Sequence, residues 1–152
     1  MSAETSARAR WSGSRSDLAT LPAGVQTVEA AWAFVDLVGY SAATVAHGDP
    51  TAARLAIRLV ELAHQAAQDD VKVIKGLGDA VLVQSRTIDD AIQWLAALWE
   101  LVDDEMAFPS LRAGISAGSA IAYDGDVHGA AVNIAARLAD EAGPDTVRRP
   151  GR

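Results

Sequence analysis

The chain has 152 residues, half of them hydrophobic and 22% charged, with a formal net charge of −7. That is the size of one domain, with enough apolar residues for a core. The acidic balance disfavours non-specific attraction to DNA or to an anionic membrane, so no nucleic-acid and no membrane partner is expected. The absence of cysteine excludes a disulfide scaffold, a thiolate zinc site and a cysteine nucleophile. His47, His64 and His128 show no metal-ligand spacing. No apolar run approaches the length needed to cross a bilayer. The segment Met1 to Pro22 is rich in Ser, Ala and Arg and lacks an apolar signal stretch. Residues 1–28 therefore read as a disordered leader, and the chain as cytoplasmic.

Ala31 to Val38 is an apolar run interrupted by one acid, Asp36, and predicts a buried strand ended by Gly39 and Tyr40. Ser41 to Ala46 suits a short helical turn. Asp49 is placed to cap a helix whose first residue is Pro50. Thr51 to Gln68 then carries Leu55, Leu59, Leu62 and Ala66 at helical spacing. Val71 to Lys75 predicts a second strand, Gly76-Leu77-Gly78 a tight turn, and Asp79 to Gln84 a third strand. Thr87 to Met106 predicts a second helix buried through Ile88, Ile92, Leu95, Leu98, Val102 and Met106. Leu111 to Ser116 predicts a fourth strand.

The order β-α-β-β-α-β is the split βαβ, or ferredoxin-like, arrangement: an α+β fold with two helices on one face of a four-stranded antiparallel sheet. Gly118 to Gly125 reads as short and turn-rich. A last helix is expected from about His128 to Ala142, stopped by Gly143-Pro144, with Ile134 and Leu138 packing inward. No further strand pairing is expected beyond it.

Asp36 inside an apolar strand is costly to bury unless paired or metal-bound. Asp79 poses the same problem at the head of another strand. In this topology the first and third strands are neighbours, which brings the two carboxylates together. Like charges at that distance need a cation or a proton, and oxygen-only ligands suit magnesium or manganese. Taken by spacing alone, either aspartate also fits a plain turn cap. Lys75 and Asp79 lie at opposite ends of one hairpin. Asn133 and Arg137 are four apart and share a helix face, where an amide and a guanidinium can address a sugar and a phosphate. An ordinary surface salt bridge at Arg137 explains that pair equally well in isolation.

Four segments, in order, resemble the class III adenylate and guanylate cyclases. Phe34-Val35-Asp36-Leu37-Val38-Gly39-Tyr40-Ser41 is similar to that family's first metal-binding strand, and Lys75 to Asp79 to its hairpin. Leu111 to Gly118 resembles its next strand, and Asp126 to Arg137 its Asn/Arg helix. The resemblance places a nucleotide cyclase-like domain at residues 29–147, followed by a basic tail at 148–152. It implies an adenylate cyclase that makes 3′,5′-cyclic AMP and pyrophosphate from ATP for intracellular signalling.

On the same resemblance, Asp36 and Asp79 would hold two divalent cations (Mg²⁺ or Mn²⁺), with the Leu37 carbonyl touching one. Lys75 and Asp126 would read the adenine edge, with Asp124 the competitor for the second role. Asn133 would orient the ribose, Arg137 would stabilise charge on the α-phosphate, and Arg112 would contact phosphate. The family builds its site between two subunits, so a head-to-tail homodimer, or a heterodimer with another cyclase chain, is implied. Family members continue past the Asn/Arg helix with further strands. The short ending here gives the alternative of a truncated, weakly active or inactive nucleotide-binding or dimerisation module.

Overall fold

The computed structural model describes residues 21–40 and 48–151. In chain order the elements are β1 (Gln26–Leu37), α1 (Asp49–Ala66), β2 (Val71–Leu77), β3 (Ala80–Ser85), α2 (Ile88–Asp103), β4 (Leu111–Tyr123), β5 (Asp126–His128), α3 (Ala130–Glu141) and β6 (Thr146–Arg148). The sheet runs β2-β3-β1-β4-β5, with β6 also paired to β4. The four core strands pair antiparallel, which is the expected α+β, ferredoxin-like core. The turn expected over Ser41 to Ala46, and His47, lie outside the described residues. Among the described residues no helix is long and apolar enough to cross a membrane.

Alternation along β1 divides the molecule into two layers. Ala33, Val35 and Leu37 face α1 and α2, where Leu59, Leu62, Trp94, Leu95 and Leu98 complete the larger core cluster. Ala30, Trp32 and Phe34 face the other way and pack with Leu82 against Ala131, Val132 and Ala135 of α3. Asp36 continues this second set, so its carboxylate emerges on the α3 side of the sheet. The Trp32 indole is fully buried there and donates to the Gly118 carbonyl at 3.0 Å.

Several expected boundaries move, each for a physical reason. β1 begins at Gln26, inside the segment read as leader, because residues 26–30 pair with the far end of β4. β4 in turn runs on to Tyr123, where a turn-rich segment was expected. Gly118 stays in the strand: a Cβ there would lie 2.9 Å from the Ala131 side chain, so α3 packs too closely for anything but glycine. The real turn is Asp124-Gly125, both with positive φ (51° and 77°), the sign pattern of a type I′ hairpin. Gly76 likewise belongs to β2 and not to a turn. Its added Cβ would meet Val60 of α1 at 2.8 Å. The tight turn is Gly78-Asp79, so Asp79 precedes β3.

α1 is capped by Gly48, with Asp49 in the first turn. α2 is capped by Thr87, whose hydroxyl accepts from Asp90 N–H at 3.1 Å. It ends at Asp103, and Met106, expected on the buried face, is 96% exposed. α3 buries Ala131, Val132, Ala135 and Ala139, while Ile134 is exposed. The cause is Gly114 of β4: a Cβ there would sit 2.2 Å from the Ala135 carbonyl oxygen and 2.3 Å from Ala139 N. Helix and strand backbones touch, and only small side chains fit between them. Finally, β6 pairs in parallel with β4 (Arg112–Thr146 to Gly114–Arg148), where no further strand pairing was expected. Its three residues are all exposed, so it carries no apolar pattern.

Candidate active site

Asp36 lies opposite Ala80 of β3 and opposite Arg112 of β4. Asp79 is one residue before Ala80, in the hairpin turn. The Leu37 N–H donates to the Asp79 carbonyl at 3.0 Å, which ties the end of β1 to that turn. The two aspartates are thus brought to one end of neighbouring strands, as the βαββαβ topology led us to expect. The Leu37 side chain is buried in the core below them.

Asp36 is only 7% exposed. Burial pushes its carboxyl above the ordinary aspartate value. The hydrogen bond and charge of Arg112 pull the other way, and the charges of Asp79 and Asp140 add to the rise. Arg112 Nε donates to Asp36 Oδ1 at 2.7 Å, and its Nη1 donates to the Asp140 carbonyl at 3.0 Å. Arg112 therefore meets Asp36 directly, a contact not anticipated from its expected role toward phosphate.

Lys75 and Asp126 are 51 positions apart, yet Lys75 Nζ lies 2.8 Å from Asp126 Oδ1 and 3.0 Å from Oδ2. A β-bulge makes this possible. Between Val73 and Lys75 the register shifts, so both Ile74 and Lys75 lie opposite Leu82 on the α3 side of the sheet. Without the extra residue, alternation would turn Lys75 toward α1. Asp126 also accepts from the Val127 N–H at 2.8 Å, and the Lys75 hydrogen bond is the main cause holding its carboxyl below the ordinary range. His128 Nε2 stands 3.7 Å from Asp126. Asp124 sits in the turn, away from strand pairing. A cavity of about 280 Å³, lined in part by Gln26, Lys72, Ile74, Gln84 and Tyr123, opens against Asp126.

Asn133 and Arg137 are both exposed on α3, on a face that also carries Asp140 at the next helical step. Asp140 was missed in the sequence, although its spacing from Asn133 and Arg137 was the available signal.

The donor set suits a hard cation. Two carboxylates lie near enough for the charge of Asp79 to raise Asp36, one of them is buried, and among the described residues no group of three or more His, Asp or Glu could hold a metal ion. Magnesium and manganese need no such group, because they take one or two carboxylates and fill the remaining positions with water and substrate phosphate. In chemical terms the α3 side of the sheet offers the Asp36 carboxylate, the Lys75–Asp126 donor–acceptor pair, and an amide and guanidinium on the covering helix.

No protein-family model matches the chain. It is 36% identical over 115 residues, 76% of its length, to a pH-sensitive adenylate cyclase from Mycobacterium tuberculosis. It is 33% identical over 119 residues to an adenylate cyclase from Streptomyces griseus. In both cases the chain spans 29% of the relative's own length. Among solved structures, an adenylate/guanylate cyclase/hydrolase from Silicibacter pomeroyi superposes with a TM-score of 0.66 at 23% identity, covering 82% of this chain and 77% of the other. The catalytic core of a rhodopsin-guanylyl cyclase with converted specificity, in complex with ATPαS, gives 0.67 at 17% identity over 82% and 78%.

Proposed function

Because the chain belongs to the class III nucleotide cyclase domains, we propose that it converts ATP to 3′,5′-cyclic AMP and pyrophosphate at a site shared by two copies of the chain. The ribose 3′-oxygen forms a bond to the α-phosphorus, the bond from that phosphorus to the bridging oxygen of the β-phosphate breaks, and the hydroxyl proton passes to solvent. Asp36 and Asp79, with the Leu37 carbonyl, would hold two divalent cations, Mg²⁺ or Mn²⁺. Such cations supply neutralisation of the triphosphate and a lowered pKa for the 3′-hydroxyl. From the opposite copy, Lys75 donates to the adenine edge and Asp126 accepts from its amino group. Asn133 of the opposite copy orients the ribose, and Arg137 stabilises charge growing on the α-phosphate. Arg112 adds a contact to phosphate once nucleotide is present.

The observation that supports this reading most is that one chain carries both the neighbouring Asp36 and Asp79 and the Lys75–Asp126 ion pair. The names of the sequence relatives support ATP as the substrate. The test is formation of cyclic AMP from ATP, and of cyclic GMP from GTP, by the purified chain with Mn²⁺ and with Mg²⁺. Cyclic AMP is expected, and its absence at high protein concentration sinks the reading. Asp36→Ala and Asp79→Ala should each remove activity, by at least about 100-fold.

A further inference from the structure

We propose that Arg112 is a built-in counter-cation that a divalent ion must displace from Asp36, and that Asp140 receives the displaced guanidinium. The inference rests on the reading of Asp36 as a cation ligand. Asp36 and Arg112 are register partners on β1 and β4, so the backbone itself sets their side chains against one another. The contact is short, 2.7 Å from Nε to Oδ1, and the carboxylate is almost wholly buried. A guanidinium held this way occupies one carboxylate oxygen and puts a positive charge where a divalent ion must approach.

The same guanidinium already has a second anchor. Nη1 donates to the Asp140 carbonyl at 3.0 Å, while Nη2 stands 3.8 Å from Asp140 Oδ1. That gap is too long for a hydrogen bond and short enough for one side-chain rotation to close. Asp140 is largely exposed, so this change costs little desolvation. Its position matters too. Asp140 lies on the face of α3 that bears Asn133 and Arg137, so the hand-off transfers the effect of cation binding from β1 to that helix.

The test is Mn²⁺ binding to the full chain without nucleotide, read from the free-ion paramagnetic resonance signal. Asp36→Asn must lose the binding; if it binds as the wild type does, the cation-site reading itself fails. Arg112→Gln is expected to bind Mn²⁺ at least about fivefold more tightly, since a unit positive charge has left a partly buried carboxylate. Equal or weaker binding by a folded Arg112→Gln variant overturns the proposal. Arg112→Lys keeps the charge but loses the fork, and should bind about twofold more tightly than wild type. Where Arg112→Gln fails to fold, this variant decides, and unchanged affinity overturns the displacement. Asp140→Asn should weaken Mn²⁺ binding, and the loss should vanish in the Arg112→Gln/Asp140→Asn double variant. A loss that persists without Arg112 removes Asp140 as the landing point.

Discussion

Asp36 shows how a candidate site residue can oppose the fold that carries it. Its carboxyl is raised above the ordinary value of 3.8, chiefly by burial. The folded chain therefore binds a proton that the unfolded chain releases between that value and the raised one. What Asp36 contributes to stability is full below 3.8 and is lost as pH rises through its raised folded value. Asp36→Asn should accordingly melt at a higher temperature than wild type at neutral pH in chelator, and the difference should close as pH falls below the ordinary carboxylate range. Thermal melts from pH 3 to 8 check this, and a neutral-pH melt lower than wild type contradicts it. Asp126 has the opposite sign. Its lowered carboxyl contributes stability above the ordinary value, lost as pH falls through the folded one. Asp36 is thus the strained acid of the pair, and Asp126 the relaxed one.

At the scale of elements, the close approach of α3 to β4 decides where Asn133 and Arg137 stand. Gly114→Ala would put a Cβ among the Ala135, Leu138 and Ala139 backbone atoms, none of which can rotate away. The helix must move as a body, at a cost of about 1–3 kcal/mol or more, and cyclase activity should fall further than stability alone explains. Chemical denaturation and an assay below the melting range separate the two effects.

This same contact marks the limit of what the sequence discloses. The apolar runs of β1 and β3 and the helical spacing of Leu59, Leu62, Leu95 and Leu98 are local signals, so the βαββαβ order is legible without coordinates. The N-terminal third of β1, the distal half of β4 and all of β6 are held by pairing with distant residues. Their own side chains, such as Gln26, Glu29 and Ser119, carry no alternation that announces a strand. The inward face of α3 was misread because alanine wins over Ile134 only where a facing glycine removes the space. Within the site, Asp36 and Asp79 were legible as neighbours because topology dictates it. The Lys75–Asp126 contact depends on a bulge at Ile74, which no local pattern encodes, and on a type I′ turn 50 residues later, whose Asp124-Gly125 pair was the local signal for it.

At the scale of the whole molecule, the site's two halves face different tasks. Asp36 and Asp79 emerge at the end of β1, while Asn133 and Arg137 point outward from α3, exposed to whatever lies over that side of the sheet. One chain alone holds every expected group but does not close them around one substrate. The head-to-tail pair proposed above would, because each copy would supply its carboxylates to one site and its helix to the other. This arrangement makes a prediction that separate assays of single variants cannot. Asp36→Ala and Arg137→Ala should each be inactive alone. Mixed in equal amounts and allowed to exchange, half of the dimers carry one copy of each, and one of the two sites in such a dimer is intact. Activity should return to about a quarter of wild type. Sedimentation of the same mixture must show dimers, and a mixture that stays inactive while dimeric would exclude a shared site.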